Sequence, residues 1–385
     1  MVRKQETSLI DLRIKIRTEK DKDFVKKHNE NYLFLLIKNK FNRISPFFYF
    51  LDKNKIITTR SMRKINSIGF DRIKRIYLWG NGKNTVNSLL NHNIPIFRIE
   101  DGFIRSASLG SDLARPYSLV IDSRGIYFDP TQESDLENIL NTYDFDDGIK
   151  FRAESITELI LKSKLSKYNH QKHANFYIEK GACDKVILVP GQVEDDASII
   201  LGGYGMTNEK LIIQVREKNP DSYIIFKAHP DVVAGNRKGS VKNEILKQNC
   251  NMVIHHHSID SCLAIADEVH TITSLCGFDA ILRDKRVVTY GMPFYAGWGL
   301  TEDQLKCERR TRKLSKYELI AGSLLLYPKY IDPKTNSPCD IETVLKRIIE
   351  EQLKYSSSSL YRFIKNLRTF IIRRLKLNYR KSRVV

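Results

Sequence analysis

The sequence predicts an α/β protein of two doubly wound domains with a cleft between them, and three observations carry this reading. Short apolar strands alternate with helices from Arg72 onward and again from Lys185 onward, which is the pattern of parallel sheets covered by helices. The predicted strand ends carry glycine or polar groups, at Glu100-Asp101-Gly102, Gly191-Gln192, His229-Pro230, Ser274 and Gly291, and ligands sit at such places in these sheets. With 385 residues, 42% hydrophobic and 10% aromatic, the chain has enough apolar surface for two ordinary domains and no signature of disorder.

In chain order, residues 1–70 are charged and mixed, with apolar stretches at Tyr32–Ile37 and Pro46–Leu51 that read as helices or edge elements. RIKRIYLWG then reads as a strand, NTVNSLLNHN as a helix and IPIFRIEDG as the next strand, one βαβ unit. YSLVIDSRGIYF reads as a hairpin turning at Ser123-Arg124-Gly125, and SDLENILNTYD as a helix capped by Ser134. A polar helical stretch from Glu154 to Lys180 leads to the second alternation. There KVILVPG, SYIIFKAHP, NMVIHHH, EVHTIT and RVVTYG are strands, with helices through ASIILGGYG, MTNEKLIIQVREKNP, Ile259–Ala266 and Leu275–Leu282 between them. The expected organisation is a region of uncertain structure at 1–70, Rossmann-like domains at 71–175 and 176–350, and a basic tail at 351–385 that begins near the break Ser356–Ser359.

The formal net charge is +19, so nucleic acid, an anionic membrane and an anionic sugar nucleotide all enter as partners. Ten of the basic side chains lie between Lys354 and Arg383, with no acidic residue after Glu351. Leu360, Ile364, Leu367, Ile371 and Leu375 recur there at helical spacing, the pattern of an amphipathic helix on an anionic membrane surface or packed on the body. No nucleic-acid motif accompanies the charge, so nucleic acid is not the expected partner. The six cysteines are scattered without a C-x-x-C pair, which predicts reduced thiols in a cytosol and no zinc site. No secretory h-region follows Met1 and no apolar run reaches 18 residues, so the chain is expected to be cytoplasmic and to span no bilayer.

Five constellations carry chemistry. In GQVEDDAS three acids follow the strand end Pro190-Gly191, either as helix caps or as carboxylates presented at a cleft. KAHPD lies at the next strand end, so Asp195 or Asp196 comes within reach of His229, which is otherwise a core histidine. Lys227 shares a strand face with His229, and together they suit a phosphate leaving group. In TSLCGFDAIL, Thr273 or Ser274 caps a helix whose free N–H groups suit an anion, with Leu275 in its first turn and Gly277 allowing close approach. YGMPFYAGWGLTED presents Phe294, Tyr295 and Trp298 as a platform for a base or sugar ring, or as a hydrophobic plug. EDGFIRSASLGSDLARP places Glu100 and Asp101 at a strand end, with Arg105 and Arg115 as forks for a carboxylate or phosphate. His255-His256-His257 alternate faces on a strand and lack a carboxylate partner, so no metal is expected.

EDGFIRS, RPYSLVID-RGIYFDP, GQVEDDAS, KAHPD, TSLCGFDAILRDKRVVTYG and PFYAGWGLTED resemble, in that order, the capsule polysaccharide biosynthesis proteins typified by KpsC and LipA, which add β-linked Kdo, an acidic eight-carbon sugar, to a lipid-anchored acceptor. The resemblance covers roughly residues 75–305. It implies a GT-B-like fold with the acceptor side at 71–175 and the donor side at 176–350, CMP-Kdo as donor substrate, no cofactor or metal, and retention of configuration. It also implies Asp196 as nucleophile, Glu100 in the active site and His229 beside the donor phosphate. The remaining expected donor-side contacts are Gly191, Gln192, Lys227, Ser274, Leu275, Gly277 and Gly291; Asp101, Arg105 and Arg115 serve the sugar carboxylate or the acceptor. The implied setting is the inner face of the cytoplasmic membrane of a Gram-negative bacterium, with a lipid-linked Kdo acceptor and other capsule biosynthesis proteins as partners. Members typified by KpsC carry two such modules, and this chain holds one. Another donor, such as CMP-sialic acid or a UDP sugar, and a non-catalytic scaffold role in capsule assembly or export stay open at this level.

Overall fold

A computed structural model of the chain describes residues 31–36, 38–80, 89, 92–106, 114–165, 177–179, 181–235 and 237–361. The helix expected at NTVNSLLNHN, the domain boundary expected at 175/176 and the basic tail from residue 362 lie largely or wholly outside these. The chain folds as two compact units, Met1–Ile99 and Glu100–Val385.

In the first unit, β1 (Asn31–Leu35), α1 (Lys38–Ile44), β2 (Ile56–Thr58), α2 (Met62–Ile68), β3 (Ile73–Trp79) and β4 (Ile96–Asp101) follow one another, with β4 running across the division. Their order is β2-β1-β3-β4 and all pairs are parallel, with Leu33 opposite Ile57 and Ile76, and Ile76 opposite Ile96. The stretch at Tyr32–Ile37 is therefore an inner strand, not an edge element. Successive side chains point to opposite faces, so Leu33 joins Ile65, Ile73 and Ile76 in one core. Phe34 stacks on Tyr77 at 4.6 Å and meets Phe48 edge-on at 4.8 Å.

The second unit begins with β5 (Ser118–Asp122), α3 (Asp135–Thr142) and α4 (Asp147–Lys162). Ser134 caps α3 by accepting from Glu137 N–H at 3.0 Å, as its sequence position indicates. The expected hairpin after Asp122 does not form. The buried Asp122 carboxylate instead accepts the N–H groups of Arg124, Gly125 and Asp135 and the hydroxyl of Tyr327, so the chain turns around a side chain rather than along a ladder.

The second sheet follows: β6 (Val186–Pro190), α5 (Ala197–Gly202), α6 (Asn208–Lys218), β7 (Tyr223–Lys227), α7 (Pro230–Val233), α8 (Asn243–Asn249), β8 (Met252–Ile254), α9 (Ile259–Ile265), β9 (Glu268–Thr271), α10 (Leu275–Leu282), β10 (Arg286–Thr289) and β11 (Glu302–Asp303). The order β11-β10-β9-β6-β7-β8 is parallel throughout. β6, VILVP, is buried along its whole length, as a central parallel strand covered on both faces must be. The chain proceeds from β6 to one side and returns to the other at β9, so the switch of direction lies between these two strands, and their carboxyl ends open a crevice there. At the opposite end, the Glu268 carboxylate takes Lys185 at 2.9 Å, Arg286 at 2.7 Å and His270 at 3.2 Å. The hydrogen bond with His270 and the neighbouring cations pull that carboxyl down to about 2, tying the starts of β6, β9 and β10 together.

The last elements are α11 (Lys316–Ile320), a π-helix at Ala321–Leu326, β12 (Lys329–Ile331), β13 (Pro338–Cys339) and α12 (Ile341–Ser357). β12 pairs antiparallel with β5 and β13. Ile341, Val344, Leu345 and Ile348 bury one stripe of α12, which ends at the serine run. No helix among the described residues is long and apolar enough to cross a membrane.

Candidate active site at the ends of the parallel strands

The site is built where β6 and β7 end. Gly191 N–H donates to the Lys227 carbonyl at 2.8 Å, and a Cβ on Gly191 would lie 2.7 Å from the Phe226 ring. Only glycine lets the two strand ends close to this distance. Gln192 is buried and acts as a bracket across the sheet switch. Its Oε1 accepts from Thr273 N–H at 2.9 Å and Thr271 Oγ1 at 3.3 Å, while its Nε2 donates to Thr273 Oγ1 at 3.1 Å. Its backbone is gripped by Asn208, whose Oδ1 accepts Gln192 N–H at 2.9 Å and whose Nδ2 donates to Gln192 O at 2.8 Å. Gln192 therefore spends its amide on the scaffold, positioning the strand ends.

The loop that follows delivers Asp196 as the exposed N-cap of α5. Its Oδ1 accepts both Ser198 N–H at 3.1 Å and Ser198 Oγ–H at 2.9 Å. Oδ2 has no hydrogen bond among the described residues. Asp195, one residue earlier, is committed to Arg237 at 3.0 Å. The two acids therefore differ: Asp195 is paired, and Asp196 keeps an oxygen without a hydrogen bond among the described residues.

On β7, Lys227 is 5% exposed and its Nζ donates only to the carbonyls of Ala228 and His255, at 3.3 and 3.4 Å. No carboxylate pairs with it among the described residues, and burial holds its ammonium below the ordinary lysine range. An unpaired buried cation is costly, so the position is suited to an incoming anion. His229 caps α7, its Nδ1 accepting Asp231 N–H at 3.2 Å. The neutral ring therefore carries its proton on Nε2, which is a donor. Burial lowers the pKa of His229; the carboxylates of Asp231 and Asp196 oppose that shift, and Lys227 and Arg237 reinforce it.

Ser274 caps α10, accepting Cys276 N–H at 3.2 Å, which leaves Thr273 outside the cap. Leu275 begins the helix and is half-buried. Two glycines that the sequence suggests for ligand approach are explained by packing. A Cβ on Gly277 would lie 2.2 Å from the Tyr295 hydroxyl, and one on Gly291 would lie 2.5 Å from the Gly202 carbonyl.

Glu100 and Asp101 end β4, with Glu100 Oε1 accepting Asp101 N–H at 3.0 Å. Arg105 is buried and internally committed: Nε to Asp101 at 2.6 Å, Nη1 to Ser106 Oγ at 3.1 Å and Nη2 to Ala114 O at 2.9 Å. Arg105 is thus a brace for Asp101 and has little left for a ligand carboxylate. Arg115 bonds to Asn336 through Nη1, while its Nε and Nη2 are buried with no hydrogen-bond partner among the described residues.

The aromatic loop fills the core. Phe294 is 6% exposed, and Tyr295 and Trp298 are fully buried. Phe294 packs on Phe103 at 4.5 Å, Trp298 Nε1–H donates to Phe294 O at 2.9 Å, and the Tyr295 hydroxyl donates to Ser274 O. Tyr295 and Trp298 have no ring face left for a base or sugar, so the loop is a plug and not a platform; Tyr295 instead braces the α10 start. His255 and His256 lie past the end of β8, exposed, and no group of three or more His, Cys, Asp or Glu that could hold a metal ion occurs among the described residues. Arg237 and Asn208 are not singled out by the sequence; the signal for Arg237 is a basic pair in a stretch flanked by glycines, GNRKGS.

With this geometry in place, a family profile described as capsule polysaccharide biosynthesis protein matches residues 76–330. The chain belongs to this family. The family region runs from β3 to β12 and contains Glu100, Asp196, His229 and Ser274. The capsule polysaccharide modification protein LipA of Neisseria meningitidis serogroup A is 43% identical over 305 residues, 78% of this chain and 43% of LipA. The lipopolysaccharide-processing protein LpsZ of Rhizobium meliloti is 37% identical over 269 residues, 69% of this chain and 61% of LpsZ. This family member thus spans less than half the length of LipA. Two solved structures of Thermosulfurimonas dismutans KpsC are also similar. The beta Kdo 2,7 transferase is 35% identical with a TM-score of 0.69, and the beta Kdo 2,4 transferase is 29% identical with a TM-score of 0.72; each alignment covers 84% of this chain and 99% of the other.

Proposed function

We propose that this chain is a retaining β-Kdo glycosyltransferase of GT-B-like organisation that uses CMP-Kdo to extend a lipid-linked acceptor in capsular polysaccharide biosynthesis. The observation that carries the reading is one carboxylate oxygen left open at Asp196 beside the His229 and Lys227 donors, at adjacent strand ends. The likeness to two Kdo transferases over nearly their whole length supports the same sugar.

Asp196 Oδ2 attacks the anomeric carbon, and the bond from that carbon to the CMP phosphate oxygen breaks with its electron pair on the phosphate. His229 Nε2–H, the Lys227 ammonium and the N–H groups at the start of α10 receive the developing charge; preorganised donors contribute about 10²–10³ in rate each. A phosphate leaving group needs no proton, so Glu100 serves the second step, taking the proton of the acceptor hydroxyl as that oxygen attacks from the vacated face and frees Asp196. Two inversions give net retention. On this proposal residues 71–175 serve the acceptor and 176–350 the donor, no metal is required, and the basic tail holds the protein on the inner face of the cytoplasmic membrane beside other capsule biosynthesis proteins.

The test is incubation with CMP-Kdo and a short lipid-linked Kdo acceptor, followed by NMR of the product and intact-mass analysis of the protein. A β-linked product and a sugar adduct on the wild-type chain are expected. Asp196→Asn keeps the helix cap and should lose the adduct and at least about 10³ in kcat. An adduct that persists in this variant removes Asp196 as nucleophile, and an inverted product removes the mechanism.

A further inference from the structure

The guanidinium that stands beside the reacting groups is that of Arg237. The loop after α7 closes back onto the loop that carries Asp196 through three hydrogen bonds. Glu194 N–H donates to Lys238 O at 3.0 Å, and Asn208 Nδ2 bridges Gln192 O at 2.8 Å and Gly239 O at 2.9 Å. Gly239, at φ +132°, is what permits the approach, since a Cβ there would lie 2.4 Å from Gln192 O. Within this clasp Arg237 Nε donates to both oxygens of Asp195, at 3.0 and 3.3 Å. Its Nη1 and Nη2 make no hydrogen bond among the described residues, and its side chain is 37% exposed.

A guanidinium held by Nε presents its two terminal N–H groups as a fork, the geometry that matches a carboxylate. In a 2-ulosonic sugar the carboxylate is bonded to the anomeric carbon itself, so a group that binds it must stand next to the nucleophile. Arg237 is anchored to the residue adjacent to Asp196, whereas the phosphate side of the reaction is served by Lys227, His229 and the α10 start. We propose that Arg237 binds the carboxylate of the donor sugar and that Asp195 positions it for this task, an inference that rests on the donor reading above. The charge of Arg237 also reaches His229, in keeping with a place at the mouth of the same site.

Calorimetric titration with CMP and with CMP-Kdo separates the possibilities, because only the second carries the carboxylate. Arg237→Ala should weaken CMP-Kdo about 10- to 100-fold and leave CMP unchanged, with Arg237→Lys intermediate. Asp195→Asn should raise the KM for the donor several-fold with kcat within about twofold, since it loosens the fork without touching the reacting carbon. Equal loss for CMP and CMP-Kdo would assign Arg237 to the nucleotide, and no loss for either would leave it outside the site; both results overturn the proposal. A wild-type protein that binds CMP-sialic acid but not CMP-Kdo fails the Kdo reading alone. The carboxylate assignment then stands or falls on the sensitivity of Arg237→Ala to that donor, whose anomeric carbon bears the same group.

Discussion

At the scale of single residues, the proposed mechanism makes the state of His229 set how the site responds to pH. Its Nδ1 accepts the Asp231 N–H, so the proton of the neutral ring sits on Nε2, and protonation at Nδ1 would break that cap. Burial lowers its pKa in the fold, so the unfolded chain binds this proton more readily, and between the two values stability rises with pH. Acidification from about pH 6.5, the ordinary histidine value, therefore begins to cost stability, and the cap and the neutral donor are lost as pH falls through the lower value of the folded state. We expect kcat/KM for the donor to hold at neutral pH and to fall only below about pH 6.5. His229→Ala should lose about 10²–10³ in kcat. His229→Gln, which keeps an N–H, should lose less and show no acid limb from this position. Initial rates from pH 5 to 8 in the three proteins check this, and an unchanged acid limb in both variants would remove His229 from the profile.

At the scale of elements, the site depends on two loops held by one side chain at the start of α6. Asn208 is 1% exposed and satisfies Gln192 N–H, Gln192 O and Gly239 O. Asn208→Ala leaves three buried backbone groups without partners, at a cost of about 2–4 kcal/mol. It should also raise the donor KM, because the Asp196 and Arg237 loops lose their clasp. Denaturant unfolding and donor kinetics on the same protein check both effects, and a loss below about 1 kcal/mol with unchanged KM would show that the loops hold without it. The strand ends themselves were legible because Pro190-Gly191 and His229-Pro230 punctuate short apolar runs, and Ser134 and Ser274 cap the helices that their positions announce. β1 and β2 were not legible: three to five residues carry no period, and the parallel partner of β1 lies some forty positions downstream. The turn after Asp122 was misread as a hairpin because a buried carboxylate replaces the ladder. Between the platform and the plug that the aromatic loop allowed, packing chooses the plug, and Gly277 makes room for its Tyr295. Arg237 went unseen because its partner Asp195 is 42 positions away.

At the scale of the molecule, the charge is unevenly spread. Ten of the basic side chains behind the net +19 fall between Lys354 and Arg383, nine of them after Tyr361. α12 is held to the body by Ile341, Val344, Leu345 and Ile348, and the Tyr117 hydroxyl donates to Glu351 farther along it. Beyond these contacts Leu353 and Leu360 are 63% and 67% exposed, at the point where the apolar spacing of Ile364, Leu367, Ile371 and Leu375 begins among the cations. Each basic group near an anionic bilayer contributes about 1 kcal/mol, and the attraction is screened by salt. Removing residues 362–385 spares every described contact of α12. The truncated protein should therefore keep its thermal midpoint and its affinity for CMP while losing vesicles containing phosphatidylserine by at least about 10²-fold. The full chain should bind those vesicles at low salt, release at about 0.5 M salt, and ignore neutral vesicles. Cosedimentation across this set is the measurement. Equal binding by the truncated chain would move the membrane contact off the tail and onto the body, and salt-insensitive binding would make it apolar rather than electrostatic.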